Sequence, residues 1–299
     1  MKNSSSAPLA AGLAVIAIWG LNFPLQKAIF GQIGPVAFVG LRFLIVPVCA
    51  VLLLLWRYRL QWPRLSRSDF WALTRLALIG QGLHLLLAAH GLAGSTAFSA
   101  SVLLACGPVF TLLILRLMGL EHLHRAQVLG VAVAACGALL FTGDKLLAGD
   151  WRASGGDAVL LVAAALFSYY TVASKPLIAR HGGVAVLAYG SLICTLPALL
   201  WCSPELLALP WRSVPQWVWW SAIWNVAGGG FIGWLAWGYA NERRGVARTA
   251  PLIYLMPVIA GLSSWLLAGE GFTLQKLLGS AVVLAGVALA QFGARPALR

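Results

Sequence analysis

Asn22, Gln26, Gln81, His84, Ser101, Tyr169, Asn225 and Tyr254 are amides, hydroxyls and an imidazole set inside long apolar stretches of this sequence. Such groups donate and accept hydrogen bonds, so their chemistry suits holding a small solute. Asn22 and Gln26 are four residues apart and share one helix face. Trp19 and Phe23 lie beside that stripe, and Pro24 removes a backbone donor, freeing a carbonyl one turn earlier near Gly20. Two readings stand for this stripe. It faces a solute path beside a kink, or its amides bind neighbouring helices for packing. Gln81 and His84 share a face in the same way. His84 could bind a ligand or carry a proton, or be a satisfied packing residue. For His90, nearer the outer end, packing is the simpler account.

Further along, Ser99 and Ser101 precede Pro108, and Tyr254 precedes Pro257 by three residues. Ser168, Tyr169, Tyr170 and Thr171 form a polar run in another apolar stretch. The segment "WVWWSAIWNVAGGGFIGWLAWGY" holds Trp217, Trp219 and Trp220, which suit an interfacial belt. Trp224, Asn225 and Trp237 lie deeper. Between them Gly228 to Gly230 and Gly233 form either a close-packing groove or a hinge. The expected solute contacts are therefore Asn22, Gln26, Gln81, His84, Ser101, Tyr169, Trp224, Asn225, Trp237 and Tyr254. Pro24, Pro108, Gly229 and Pro257 are the expected hinge or gate positions. Aromatic walls with amides and hydroxyls suit a small zwitterion or a neutral aromatic solute, although lipid-facing tryptophan would look the same.

Other chemistries find no support. The sequence has no HExxH, no GxSxG and no phosphate-binding glycine loop, so no catalytic residue is expected. "HLH" at 122–124 is a weak metal signal, and the five cysteines lack metal or disulfide spacing. No cofactor or metal is expected. None of the eight acids is placed in the middle of an apolar run, which disfavours a carboxylate proton relay and a buried counter-charge for a cation. Glu121 and Glu270 are expected to partner loop arginines or helix N-termini. Arg42 is expected to snorkel outward or bind carbonyls at the rim, with attraction of a substrate carboxylate as the alternative. Lys27 is expected to reach the headgroups.

These residues must be positioned by membrane-spanning helices. The chain has 299 residues, 61% hydrophobic and only 10% charged, against about 25% charged in ordinary soluble domains. Crossing the hydrocarbon core takes about 20 apolar residues. On that ruler, spans fall near 8–30, 35–56, 70–91, 97–118, 125–143, 157–178, 183–202, 215–240, 246–268 and 273–293. The N-terminal apolar run continues past any plausible cleavage point and is kept as the first span. The net charge of +13 sits in short gaps such as "WRYRLQWPRLSRSDF", which reads as an orientation signal and not as nucleic-acid binding. With both termini in the cytoplasm, fifteen of the 21 Lys and Arg residues lie on or near the cytoplasmic side.

The two halves repeat. Adding 149 carries Pro108 to Pro257, Glu121 to Glu270, Gly130 to Gly279 and Gly137 to Gly286; adding 150 carries Gly40 to Gly190 and Pro47 to Pro197. Five spans per copy would insert the second copy upside down. The expected organisation is a first five-helix repeat at 1–143, an external connection at 144–156 and an inverted repeat at 157–299. Inverted repeats place a solute site near the midplane between the halves.

The fragments "WGLNFPLQKAIFGQIGPVAFVGLRFL", "ASVLLACGPVFTLLILRLMGLEHLHRAQVLG" and "APLIYLMPVIAGLSSWLLAGEGFTLQKLLG" resemble the EamA-type branch of the drug/metabolite transporter superfamily over essentially the whole length. The resemblance implies an all-α membrane protein with ten transmembrane helices in two inverted five-helix repeats. It implies a central cavity lined by the first to fourth and sixth to ninth helices. It further implies a bacterial inner-membrane exporter of small amino-acid-like metabolites, neutral or aromatic amino acids foremost, working by alternating access. A proton-coupled exporter of hydrophobic drugs or cationic toxins is the alternative. The partners are then the solute and the lipid bilayer; a monomer is compatible with the sequence, which does not specify an oligomeric state.

Overall fold

A computed structural model describes residues 6–120, 123–147, 151–244 and 250–292. Among the described residues every regular element is helical. The first is α1 (Ser6–Ile33), followed by α2 (Pro35–Tyr58). Gly34, at φ 74°, makes the single-residue joint between them, and Pro35 opens α2 where its missing N–H is harmless. α3 (Arg67–Gly94) is α-helical to Ala77, π-helical over Leu78–Leu83 and α-helical again from His84. Ser66 caps its start, accepting the Asp69 N–H at 3.1 Å. α4 (Ala97–Leu117) is capped by Thr96 and interrupted between Leu104 and Gly107.

α5 (Arg125–Leu147) and α6 (Trp151–Ala173) run further toward each other than expected, into the 144–156 connection. A short helix, α7 (Lys175–His181), was not anticipated; Gly182, at φ 81°, joins it to α8 (Gly183–Ala208). α9 spans 216–244 and carries a second π-helical stretch at Trp224–Ile232. A 3-10 segment, Ala250–Leu255, leads into α10 (Met256–Ala268), and α11 (Leu274–Phe292) ends the described chain.

Seven helices among the described residues are long and apolar enough to cross a membrane: α1, α2, α3, α4, α6 from Gly155, α8 and α11 to Gln291. The other three expected spans fall on α5, which contains the shorter apolar helix Arg125–Phe141, on the shorter apolar helix Leu252–Ala268 formed by the 3-10 segment and α10, and on π-interrupted α9.

Glycine sets how closely these helices approach. α5 packs along α11 with Gly130 against Ala290, Gly137 against Val283, Gly279 against Phe141 and Gly286 against Ala134. A Cβ at Gly130 would lie 2.2 Å from the Ala290 backbone nitrogen, and one at Gly286 would lie 2.3 Å from that of Ala134. The contact is reciprocal: the two glycines of each helix face the partner beside the other pair.

Two charged residues behave otherwise than expected. Lys27 does not anchor in headgroups. Its ammonium donates to the carbonyls of Leu92 at 3.2 Å, Ala93 at 3.4 Å and Ser95, closing the C-terminal end of α3. Asp157, expected at the outer end of its span, lies well within α6, is buried and accepts a hydrogen bond from Ser95. Glu270 does meet a helix N-terminus, accepting the Phe98 N–H at 3.5 Å. Its counterpart Glu121 lies outside the described residues.

Candidate functional site

The first polar cluster joins α1 to the π stretch of α9. The Trp19 indole N–H donates to the Gly229 carbonyl at 2.9 Å, and the Gln26 amide donates to Asn225 Oδ1 at 3.0 Å. Between them the Asn22 amide nitrogen lies 2.2 Å from where a Cβ of Gly229 would stand, so a larger residue there would displace the amide. Trp237 lies beside the cluster, its ring 5.6 Å from that of Trp19. Asn22 Oδ1 and Asn225 Nδ2 are buried without hydrogen-bond partners among the described residues. Unmet groups of this kind are costly in an apolar interior.

The second cluster joins the π stretch of α3 to α6 and α8. Gln81 donates to the Tyr170 hydroxyl at 2.9 Å and accepts from the Ser191 hydroxyl at 3.0 Å. Tyr170 presses on Gly80, where a Cβ would lie 2.2 Å from its own. One turn on, His84 Nδ1 lies 2.8 Å from the Ala163 carbonyl, and its ring lies 5.1 Å from that of Phe167. A carbonyl only accepts, so Nδ1 carries the proton of the neutral ring and Nε2 keeps a lone pair.

The two clusters correspond. Gly80 plus 149 is Gly229, the offset of the repeat; each sits in a π stretch and is met closely by a side chain of α6 or α1. π-helical turns leave backbone groups out of the regular i+4 ladder and recur at functional sites.

Asn22, Gln26, Asn225, Gly229 and Trp237 are thus brought together, and Gln81 with His84 forms the second group. The remaining expected contacts stand apart. Ser101 is buried and donates to the Phe98 carbonyl at 2.7 Å within its own helix. Tyr169 packs among Leu73, Leu76, Leu177 and Val186, while its neighbour Tyr170 reaches Gln81. The Tyr254 hydroxyl donates to Gln291 on α11. Trp224 is half exposed, with its ring over Gly228. Pro24 lies inside continuous α1, whereas Pro108 and Pro257 both stand in first turns, after the break in α4 and after the 3-10 segment.

Sequence reasoning gave Trp19 only an adjacent place and missed Tyr170 and Ser191. Arg42 it set at the rim. In the structure Arg42 is partly buried, its Nε is buried without a partner among the described residues, and Nη2 faces Gly230. An arginine within an apolar run was the available signal. Among the described residues no group of three or more His, Cys, Asp or Glu could hold a metal ion.

The chain matches the EamA-like transporter family twice, over residues 7–143 and 154–292. It is 26% identical over 295 residues to a Salmonella typhimurium protein named probable amino-acid metabolite efflux pump, covering 95% of this chain and 94% of the other. It is 31% identical over 194 residues to a Streptantibioticus cattleyicolor protein named probable terminal-alkyne amino-acid exporter, covering 64% and 63%. A solved crystal structure superposes with a TM-score of 0.64 at 20% identity, covering 98% of this chain and 99% of that one.

Proposed function

The chain belongs to the EamA-like transporter family, and from that premise we propose that it exports small amino-acid-like metabolites, neutral or aromatic amino acids foremost, by alternating access and without a coupling ion. It is a multi-pass membrane transporter, not an enzyme. The names of its relatives in Salmonella typhimurium and Streptantibioticus cattleyicolor support the amino-acid class. The reading also takes ten spans in two inverted repeats, 1–143 and 157–299, with both termini on the cytoplasmic face of an inner membrane. The reciprocal α5–α11 glycine contacts and the matched Gly80 and Gly229 support that symmetry.

One observation carries the mechanism: each π stretch is tied to a neighbouring helix by polar side chains across a glycine. In the proposed cycle the Gln26–Asn225 and Trp19–Gly229 bonds hold α1 on α9, and Gln81 holds α3 on α6 and α8. Interhelical hydrogen bonds in membranes average about 0.6 kcal/mol. Exchanging two or three of them therefore costs about 2 kcal/mol, within the few kcal/mol that separate interconverting conformations. A solute that hydrogen-bonds Asn22, Gln26 or Asn225 replaces one such contact and shifts the balance. The unmet Asn22 Oδ1 and Asn225 Nδ2 supply an acceptor and a donor for it.

Purified protein in proteoliposomes, given a panel of amino acids and lipophilic cations with and without a pH gradient, tests this reading. Saturable amino-acid counterflow independent of the gradient is expected. Transport of cations that requires the gradient, without amino-acid counterflow, would replace it with proton-coupled drug export.

A further inference from the structure

We propose that Arg42 is an anion receptor inside the helix bundle, and that the anion it takes is the carboxylate of the transported solute. The identification with a solute carboxylate rests on the proposed amino-acid export; the binding of an anion at Arg42 does not.

Arg42 stands seven residues beyond Pro35, about 10 Å along α2 at 1.5 Å per residue. A side chain there could extend its charge to the outer interface. In the structure Nε is buried, and Nη2 lies 3.8 Å from where a Cβ of Gly230 would stand. The residue keeps part of its accessible surface.

Among the described residues no acid forms an ion pair with Arg42. The described acids with contacts are engaged elsewhere: Asp69 with Arg180 and His181, Asp157 with Ser95, and Glu270 with the Phe98 N–H. Nε has no hydrogen-bond partner among the described residues. An enclosed, unpaired charge is strongly unfavourable, so a purely structural arginine at this place would be expected to bring its own counter-charge or carbonyls. A binding arginine waits for a ligand to bring them.

The space beside it fits that role. A Cβ on Gly230 would meet nothing nearer than Arg42 Nη2 at 3.8 Å and the Asn225 carbonyl at 3.9 Å. The glycine therefore leaves room next to the guanidinium, one residue from Gly229 and the Asn22 amide. A guanidinium offers a planar fork that matches a carboxylate with two parallel hydrogen bonds, which an ammonium cannot do.

Thermal unfolding of the detergent-purified full chain, with chloride matching ionic strength, tests the site directly. The probes are benzoate and the uncharged benzamide of the same shape. Benzoate is expected to raise the unfolding temperature of the wild type through linkage, and benzamide to leave it unchanged. Arg42→Gln should lose the benzoate response and, without ligand, unfold no earlier than wild type, because an unpaired buried charge is gone. Arg42→Lys should keep part of the response. An Arg42→Gln protein that unfolds early yet responds to benzoate like wild type, or a wild type that does not distinguish the two probes, would overturn the proposal. In proteoliposomes, any amino acid exchanged by the wild type should show an apparent KM raised about tenfold or more in Arg42→Gln, and its carboxamide should not be carried. If no amino acid exchanges in the wild type, the export reading fails, while the benzoate comparison still decides for or against Arg42.

Discussion

Gln26 and Asn225 form a side-chain pair between α1 and α9, with the unmet Asn22 oxygen nearby. Removing Gln26 leaves a second buried amide unpaired. We expect Gln26→Ala to lower stability by about 0.6–1.7 kcal/mol, the range of such bonds in membranes, and to cut counterflow at least tenfold in protein that still elutes as a folded species. Unfolding curves and initial exchange rates, measured on the same preparation, separate the two effects. Asn22→Ala removes a group with one unmet atom, so its stability should change less than its transport. These residues were legible because amides are conspicuous in an apolar run. The choice between Tyr169 and Tyr170 was not. Adjacent helical positions point about 100° apart, and only the packing of α6 on Gly80 decides which ring reaches Gln81. Arg42 was visible as an oddity, but its approach to Gly230 depends on α9, which lies far away in the chain.

The two π stretches, Leu78–Leu83 and Trp224–Ile232, are where the elements depart from regular helix. The sequence showed glycines at both, and groove and hinge were the readings available for "AGGG". A π turn inserts one residue to satisfy tertiary contacts, so local propensity does not announce it. If these glycines exist for close approach, Gly80→Ala drives its Cβ to 2.2 Å from that of Tyr170, where neither side can yield by rotamer change. Overpacking of this kind costs about 1–3 kcal/mol, and a marked drop in unfolding temperature is expected. Gly31→Ala, also in a helix but with nothing within 4 Å, should be neutral or gain up to about 1 kcal/mol. Equal behaviour of the two variants would refute the close-approach account. The extensions of α5 and α6 toward 148–150 and the short α7 escaped the reading because polar residues and glycine there look like loop when only hydropathy is counted.

For the molecule as a whole, composition alone dictated a membrane protein, and seven of the helices meet the length and hydropathy of a span. The remaining expected spans fall on the shorter apolar helices Arg125–Phe141 and Leu252–Ala268 and on α9, which its π turn interrupts. The proposed repeat rests on prolines and glycines at offsets of 149 and 150, residues that mark backbone needs a duplication would preserve. The proposed orientation puts Ser68 in the cytoplasm and Ser213 outside; both are exposed. In a cysteine-free background, Ser213→Cys should react with a membrane-impermeant maleimide on intact cells and Ser68→Cys only after permeabilisation; the opposite pattern would invert the topology. The central claim is that this chain carries amino-acid-like solutes through the polar interior between α1, α3, α6 and α9. Its most direct test is counterflow of labelled neutral and aromatic amino acids in proteoliposomes of the wild type and of Asn22→Ala and His84→Ala proteins with normal unfolding curves. The account predicts saturable exchange in the wild type and its loss in both variants; absence of amino-acid exchange in the wild type, or full exchange in both variants, would contradict it.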